Sequence, residues 1–201
     1  RRKTRSLDGE TIVLCLLLFC GSMLMADMSG EIVIDTPKKL QVFKELKARG
    51  LPYAAIAGIM GNIDVETGGS FDYKQKQIKG PGYGLFQFEG GHKKAYQNYL
   101  NKNERQDSEG SQIDYVLDNI TKGEGYDIGA GNRKVLLETF KSNSPDNVAL
   151  TFSKLFERPN PKKAHNDRRI KSAVGIYDNL MQRKPGGMVM RNYYDYEPRS
   201  I

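Results

Sequence analysis

From about residue 36 to residue 184, apolar residues recur mostly at three- and four-residue spacing, the period of helices with one buried face. Thr36-Pro37 is a good helix start and Gly50 a good stop, with Leu40, Phe43 and Leu46–Lys47 forming the face between them. Pro52 opens a second helix, on which Ile56, Ile59, Met60 and Ile63 share one arc and Gly68-Gly69 is the stop. Helical spacing resumes from His92 to Leu100 through Ala95, Tyr96 and Tyr99, and again at Ile113, Val116, Leu117 and Ile120. Val135, Leu136 and Phe140 mark a short helix. Ser144-Pro145-Asp146 supplies a capping hydroxyl, a first-turn proline and an acid for the next, whose face is Val148, Phe152 and Leu155–Phe156. Beyond the break Arg158-Pro159-Asn160-Pro161, the last helix lines up Ile170, Ala173, Val174, Tyr177 and Met181. Strand-type alternation is confined to Gly84–Phe88, within a segment holding seven glycines from Gly68 to Gly91. The pattern predicts a mainly α domain with at most one small β-hairpin, and no internal repeat.

The flanks differ from this body, giving three regions: 1–35, 36–184 and 185–201. Residues 1–10 open with RRKTR, and Ile12 to Ala26 is apolar except at Gly21 and Ser22, fifteen residues against the roughly 20 that span a bilayer. Basic residues, an apolar run and a small residue at Ala26 have the layout of a secretory signal. A retained segment of this kind is a membrane-active helix, a helix docked on partner subunits or one packed on the domain. Apolarity on all sides favours the first two. The tail MVMRNYYDYEPRSI is rich in Tyr and Met and fits packing on another protein. Arg rather than Met at position 1 fits a processed product or a piece of a longer protein.

Composition narrows the function classes. A hydrophobic content of 38% suits a soluble core, and 31 basic against 24 acidic residues give a net charge of +7. That excess fits an acidic partner such as nucleic acid, an anionic membrane or a bacterial wall. The basic group Lys162, Lys163, Arg168, Arg169 and Lys171 has no interleaved aromatics, so base recognition is poorly supported and it reads as a solvated face. Cys15 and Cys20 lie in the apolar run on different faces of one helix, and no His/Cys set has metal spacing. His92 and His165 sit in Lys-rich stretches and read as surface residues. No cofactor or metal is predicted.

One carboxylate stands out. Glu66 follows Ile63 by three residues and Ile59 by seven, so it projects beside the apolar arc in the last turn of its helix. Partial burial and the negative end of the helix dipole both favour a neutral acid there, which is what proton donation needs. Most glutamates near helix ends are merely solvated. Here the glycine-rich segment that follows can form a cleft wall whose backbone a ligand approaches closely.

Three motifs occur in order: Gly61-Asn62 leading to Glu66-Thr67-Gly68; Tyr83-Gly84-Leu85-Phe86-Gln87-Phe88; and Ser111-Gln112-Ile113-Asp114. Together they resemble the phage tail lysozyme family, relatives of goose-type lysozyme and lytic transglycosylases, over roughly residues 40 to 184. Thr67 replaces a Ser, Gly69 is an insertion, and Phe88 stands where Trp is common.

The resemblance implies a lysozyme-like α+β fold with a small β-hairpin or glycine-rich wing, to which the apolar run at 12–26 adds an N-terminal helix. It implies a virion-associated enzyme, carried on a tail or ejected during infection, that cleaves the MurNAc–GlcNAc β-1,4 bond of peptidoglycan, with Glu66 as general acid. An opposing carboxylate that places a water makes a hydrolase; without one, the sugar's own 6-hydroxyl attacks, as in a lytic transglycosylase. Asp72, Asp64 and Glu89 are candidates for that second carboxylate. Asp64 lies about 160° around the helix from Glu66, and Asp72 is preferred. Tyr83 and Gln87 resemble positions lining the sugar groove, Tyr83 being otherwise a loop packing residue. Glu157, in Phe-Glu-Arg-Pro, matches a recurrent position near the cleft, or else forms a salt bridge with Arg158 or Arg168. Expected partners are glycan strands, other virion proteins through the apolar helix and the tail, and a membrane through residues 12–26. The alternative is a structural virion protein that keeps the fold as a wall-binding or assembly module.

Overall fold

In the computed structural model, which describes residues 34–182, there are seven α-helices, one of them enclosed by the rest of the fold. They are α1 (Pro37–Ala48), α2 (Tyr53–Glu66), α3 (Gly90–Lys102), α4 (Glu109–Lys122), α5 (Ala130–Phe140), α6 (Pro145–Phe152) and α7 (Asn166–Gln182). A π-helical turn, Ser153–Glu157, extends α6, and a 3-10 turn, Pro161–Lys163, precedes α7. The apolar run at 12–26, both cysteines and the Tyr-rich tail lie outside the described residues. Among the described residues no helix is long and apolar enough to cross a membrane.

α2 is the enclosed helix. All ten residues from Ala54 to Ile63 are buried, so it is covered on every side rather than along the single arc that Ile56, Ile59, Met60 and Ile63 define. Two glycines make this possible. A Cβ on Gly58 would lie 2.4 Å from Val148 Cγ1 of α6, and one on Gly61 would lie 2.7 Å from both Ala173 N and Arg169 O of α7. Backbone thus approaches backbone on two sides of the helix. α2 ends at Thr67, whose hydroxyl donates to Ile63 O (2.7 Å) and accepts from Phe71 N (3.1 Å), fixing the chain's exit.

The other helices start where capping chemistry puts them. Thr36, Ser108 and Ser144 each accept a backbone N–H from three residues on, at the heads of α1, α4 and α6. Gly123, in the left-handed region, closes α4.

Three expectations change. On α1 the buried face is Val42 and Leu46 with the stem of Lys39, while Leu40 is 40% exposed. The Lys39 ammonium lies 5.6 Å from the Phe71 ring centroid, so a lysine stem fills the place assigned to a leucine. On α7 the buried residues are Arg169, Ser172, Ala173, Ile176 and Leu180: of the expected face Ala173 is buried, while Ile170, Val174, Tyr177 and Met181 lie one position off the buried line and are only partly covered. The helix turns to seat Arg169 and to bring Ala173 against Gly61. Finally, no strand occurs among the described residues. The hairpin reduces to one antiparallel bridge, Lys76 with Tyr83, flanked by Gln77 N to Gly82 O (2.9 Å) and Gly84 N to Gln75 O (2.8 Å). Lys79-Gly80-Pro81-Gly82 between them offers few side chains to pair and no N–H at Pro81.

Candidate active site

Glu66 stands at the C-terminal end of α2, half-buried, on a cavity of about 540 Å³. The opposite walls come from Gln77 and the segment Phe86–Glu89, His92 of α3, the π turn at Phe156 and Glu157, the loop Arg158–Asn160, His165, and Arg169 of α7. Residues from four separated parts of the chain converge here.

Arg169 organises the floor. Its side chain is 2% exposed, and Nε donates to Ala164 O (2.8 Å), Nη1 to Asn62 Oδ1 (2.8 Å) and Nη2 to Glu66 Oε1 (2.5 Å). Asn62, one turn before Glu66 on α2, donates through Nδ2 to Gly58 O (2.9 Å) and Ala149 O (3.0 Å). Buried polar groups and charges are tolerated only when partnered, and this chain of bonds partners each of them. Gly61 permits it, because any side chain there would push away the α7 backbone at Arg169. The solvated reading of the basic group therefore fails at Arg169, while Lys162, Arg168 and Lys171 are exposed. The missed signal was Asn62: a polar residue four positions before Glu66 shares its face and needs a buried partner.

Glu157 ends the π turn, and Arg158 follows in the left-handed region at φ 51°, its N–H bonded to Ser153 O (2.8 Å). This widened turn carries the Glu157 carboxyl into the cavity that Glu66 lines. Oε1 is buried with no hydrogen-bond partner. Burial first, and the charge of Glu66 second, push the carboxyl well above the ordinary range, opposed by Arg169. No salt bridge joins it to Arg158 or Arg168; Arg158 instead donates to Ile128 O (2.7 Å) and Leu155 O (3.2 Å).

Of the remaining candidates, Gln87 and Glu89 line the cavity. Gln87 is held at φ 45° and donates to Gly84 O (2.8 Å). Tyr83 and Asp72 lie outside the lining. The Tyr83 hydroxyl donates to Asp107, which also accepts from Tyr96 (2.6 Å), and burial with that carboxylate raises both phenols. Asp72 pairs with Lys38 (2.7 Å) and accepts from Lys74 N (2.9 Å), bonds that lower its carboxyl, and its side chain is 36% exposed.

His92 is not a surface residue. Its ring lies 4.1 Å from that of Tyr126 and 5.2 Å from that of Phe156, and burial, then the charge of Arg158, lower its pKa to about 4. It presents a neutral imidazole to the cavity. His165 is exposed, on the rim.

Gln112 explains the third motif. It is fully buried, accepts from Leu85 N (2.8 Å), and donates to Tyr73 O (2.8 Å) and Asp107 (3.0 Å). A Cβ on Gly84 would lie 2.3 Å from its Oε1, so the glycine lets the amide clamp the wall segment from behind.

Two carboxyls in unlike surroundings, one ion-paired and one enclosed without a partner, are an arrangement suited to moving a proton onto a leaving oxygen. Neither a curated protein nor a solved structure matches the chain. The model of the family described as Phage tail lysozyme matches residues 38–180, a span that takes in α2, the glycine-rich wall, the π turn and Arg169. The chain belongs to the phage tail lysozyme family.

Proposed function

We propose that this chain is a virion-associated enzyme that cleaves the MurNAc–GlcNAc β-1,4 bond of peptidoglycan during infection, with Glu66 as the general acid. The observation that carries this reading is the cavity that Glu66 and Glu157 line together. Family membership supports peptidoglycan as the substrate class. Glu66 protonates the leaving oxygen, and its carboxylate, held by Arg169, then faces the developing positive charge at the anomeric carbon. Gln77, Gln87 and Asn160 supply amides for sugar hydroxyls, and Phe88, His92 and Phe156 an apolar wall for a ring face.

Turbidity loss on purified peptidoglycan tests this directly. The wild-type chain clears the suspension and Glu66→Gln does not; full clearing by Glu66→Gln overturns the assignment. Binding in a pull-down without product release supports the structural alternative instead. Mass spectrometry of the muropeptides identifies the acceptor: attack by water leaves reducing ends, while attack by the sugar's 6-hydroxyl leaves 1,6-anhydro ends lighter by one water.

A further inference from the structure

Glu66 is half of an ion pair, with Arg169 Nη2 at 2.5 Å. A general acid must begin the reaction carrying a proton, so the site needs another group that keeps one. The charged and titratable residues around the cavity are Glu66 on α2, Glu89 and His92 at the start of α3, Arg158, His165, and Arg169 on α7. Arg158 is turned away to Ile128 O and Leu155 O, Glu89 and His165 are exposed, and His92 is neutral across the working range. Glu157 alone is a carboxyl enclosed in the cavity wall with a buried oxygen that no donor or cation meets.

We propose that Glu157 holds the proton that Glu66 delivers to the glycosidic oxygen, so that the two act as one dyad sharing a single proton. The inference rests on the glycosidase reading above. Two neighbouring carboxyls resist ionising together, and the one without a cation keeps the proton. Burial and the Glu66 charge, which raise the Glu157 carboxyl, act in this direction. In the first step the Glu157 O–H bond breaks as a Glu66 O–H bond forms. The proton then passes to the leaving oxygen while the C1–O bond breaks. When water or the sugar's 6-hydroxyl attacks C1, Glu66 takes the proton that the attacking group releases and returns it to Glu157. Nothing is oxidised or reduced, and the dyad ends as it began. Glu157 acts through Glu66 and is a positioning residue.

The π turn suits this role. An uninterrupted α-helix through Ser153–Glu157 would point residue 157 elsewhere, and the left-handed Arg158 locks the wider turn.

The test is the pH profile of peptidoglycan clearing by wild type, Glu157→Gln and Glu66→Gln, each checked for folding by circular dichroism. Glu157→Gln keeps the volume and polarity of the side chain but cannot release a proton. Its alkaline limb is expected to move down by about one pH unit or more, roughly a tenfold loss at pH 7.5 with less than about threefold at pH 5. Loss by the same factor at every pH, or an unchanged profile, overturns the proposal. Activity in Glu66→Gln would instead remove the glycosidase reading beneath it, so the two failures are distinguishable.

Discussion

Arg169 and Glu66, 103 residues apart in the chain, form an ion pair of 2.5 Å in which the arginine is buried and the glutamate half-buried. The other arm of the guanidinium holds Asn62, so one side chain ties the last helix to two positions on the central one. The end of α2 that carries Glu66 is therefore part of the core's polar framework.

Replacing Arg169 by Met should leave Glu66, Asn62 Oδ1 and Ala164 O without their donor. Breaking a buried pair on one side costs about 3–5 kcal/mol, and the 19% exposure of the Glu66 side chain puts this case near the lower figure. Urea unfolding at neutral pH measures it. Arg169→Lys keeps the charge but loses the fork, and should lower clearing activity by about tenfold or more while remaining folded.

Gly61→Ala should destabilise despite alanine's better helix propensity. Its Cβ meets backbone atoms at 2.7 Å, which cannot yield as a side-chain tip can, and overpacking of this kind costs about 1–3 kcal/mol. Gly131→Ala in α5 is the control: nothing lies within 4 Å of its Cβ, and a gain of up to about 1 kcal/mol is expected. Thermal melts of the two variants should move in opposite directions.

Gln112→Ala leaves the buried Leu85 N–H without an acceptor, at about 1–3 kcal/mol, and frees the wall segment from behind. Substrate half-saturation should rise more than maximal rate falls, because the carboxyls remain in place. Clearing rates across a range of peptidoglycan concentrations separate the two effects.

Stability should fall on both sides of an intermediate pH. His92 is lowered from 6.5 to about 4, so its contribution is complete above pH 6.5 and is lost as pH falls towards 4. Glu157 is raised above 4.5, so its contribution is complete below that pH and is lost as pH rises through its folded-state value. His92→Gln should flatten the acid side of a melting-temperature profile from pH 4 to 8. Glu157→Gln should flatten the other side and melt higher than wild type at pH 8.

Asp72→Asn should retain clearing activity within about twofold, since its partner Lys38 is 52% exposed and such surface pairs contribute little. A loss beyond about tenfold would return Asp72 to the chemistry.

Helix starts were readable in sequence where capping is local and was marked by a following proline: Thr36 and Ser144 each act within three residues. The faces of α1 and α7 were less so. Lys39 and Arg169 occupy core positions by burying stems or by pairing, which a hydrophobic pattern counts as exposed.

Sequence by itself determined the helical body, the order of three motifs and the prominence of Glu66, because periodicity and caps depend on neighbours in the chain. Tertiary structure decided what surrounds that carboxyl. Arg169 arrives from the last helix, Glu157 is turned into the cavity by a π turn, and Asp72 and Tyr83 are drawn away to Lys38 and Asp107. Burial and charge pairing depend on residues distant in sequence, and they set which carboxyl is ion-paired and which has a buried oxygen without a hydrogen-bond partner.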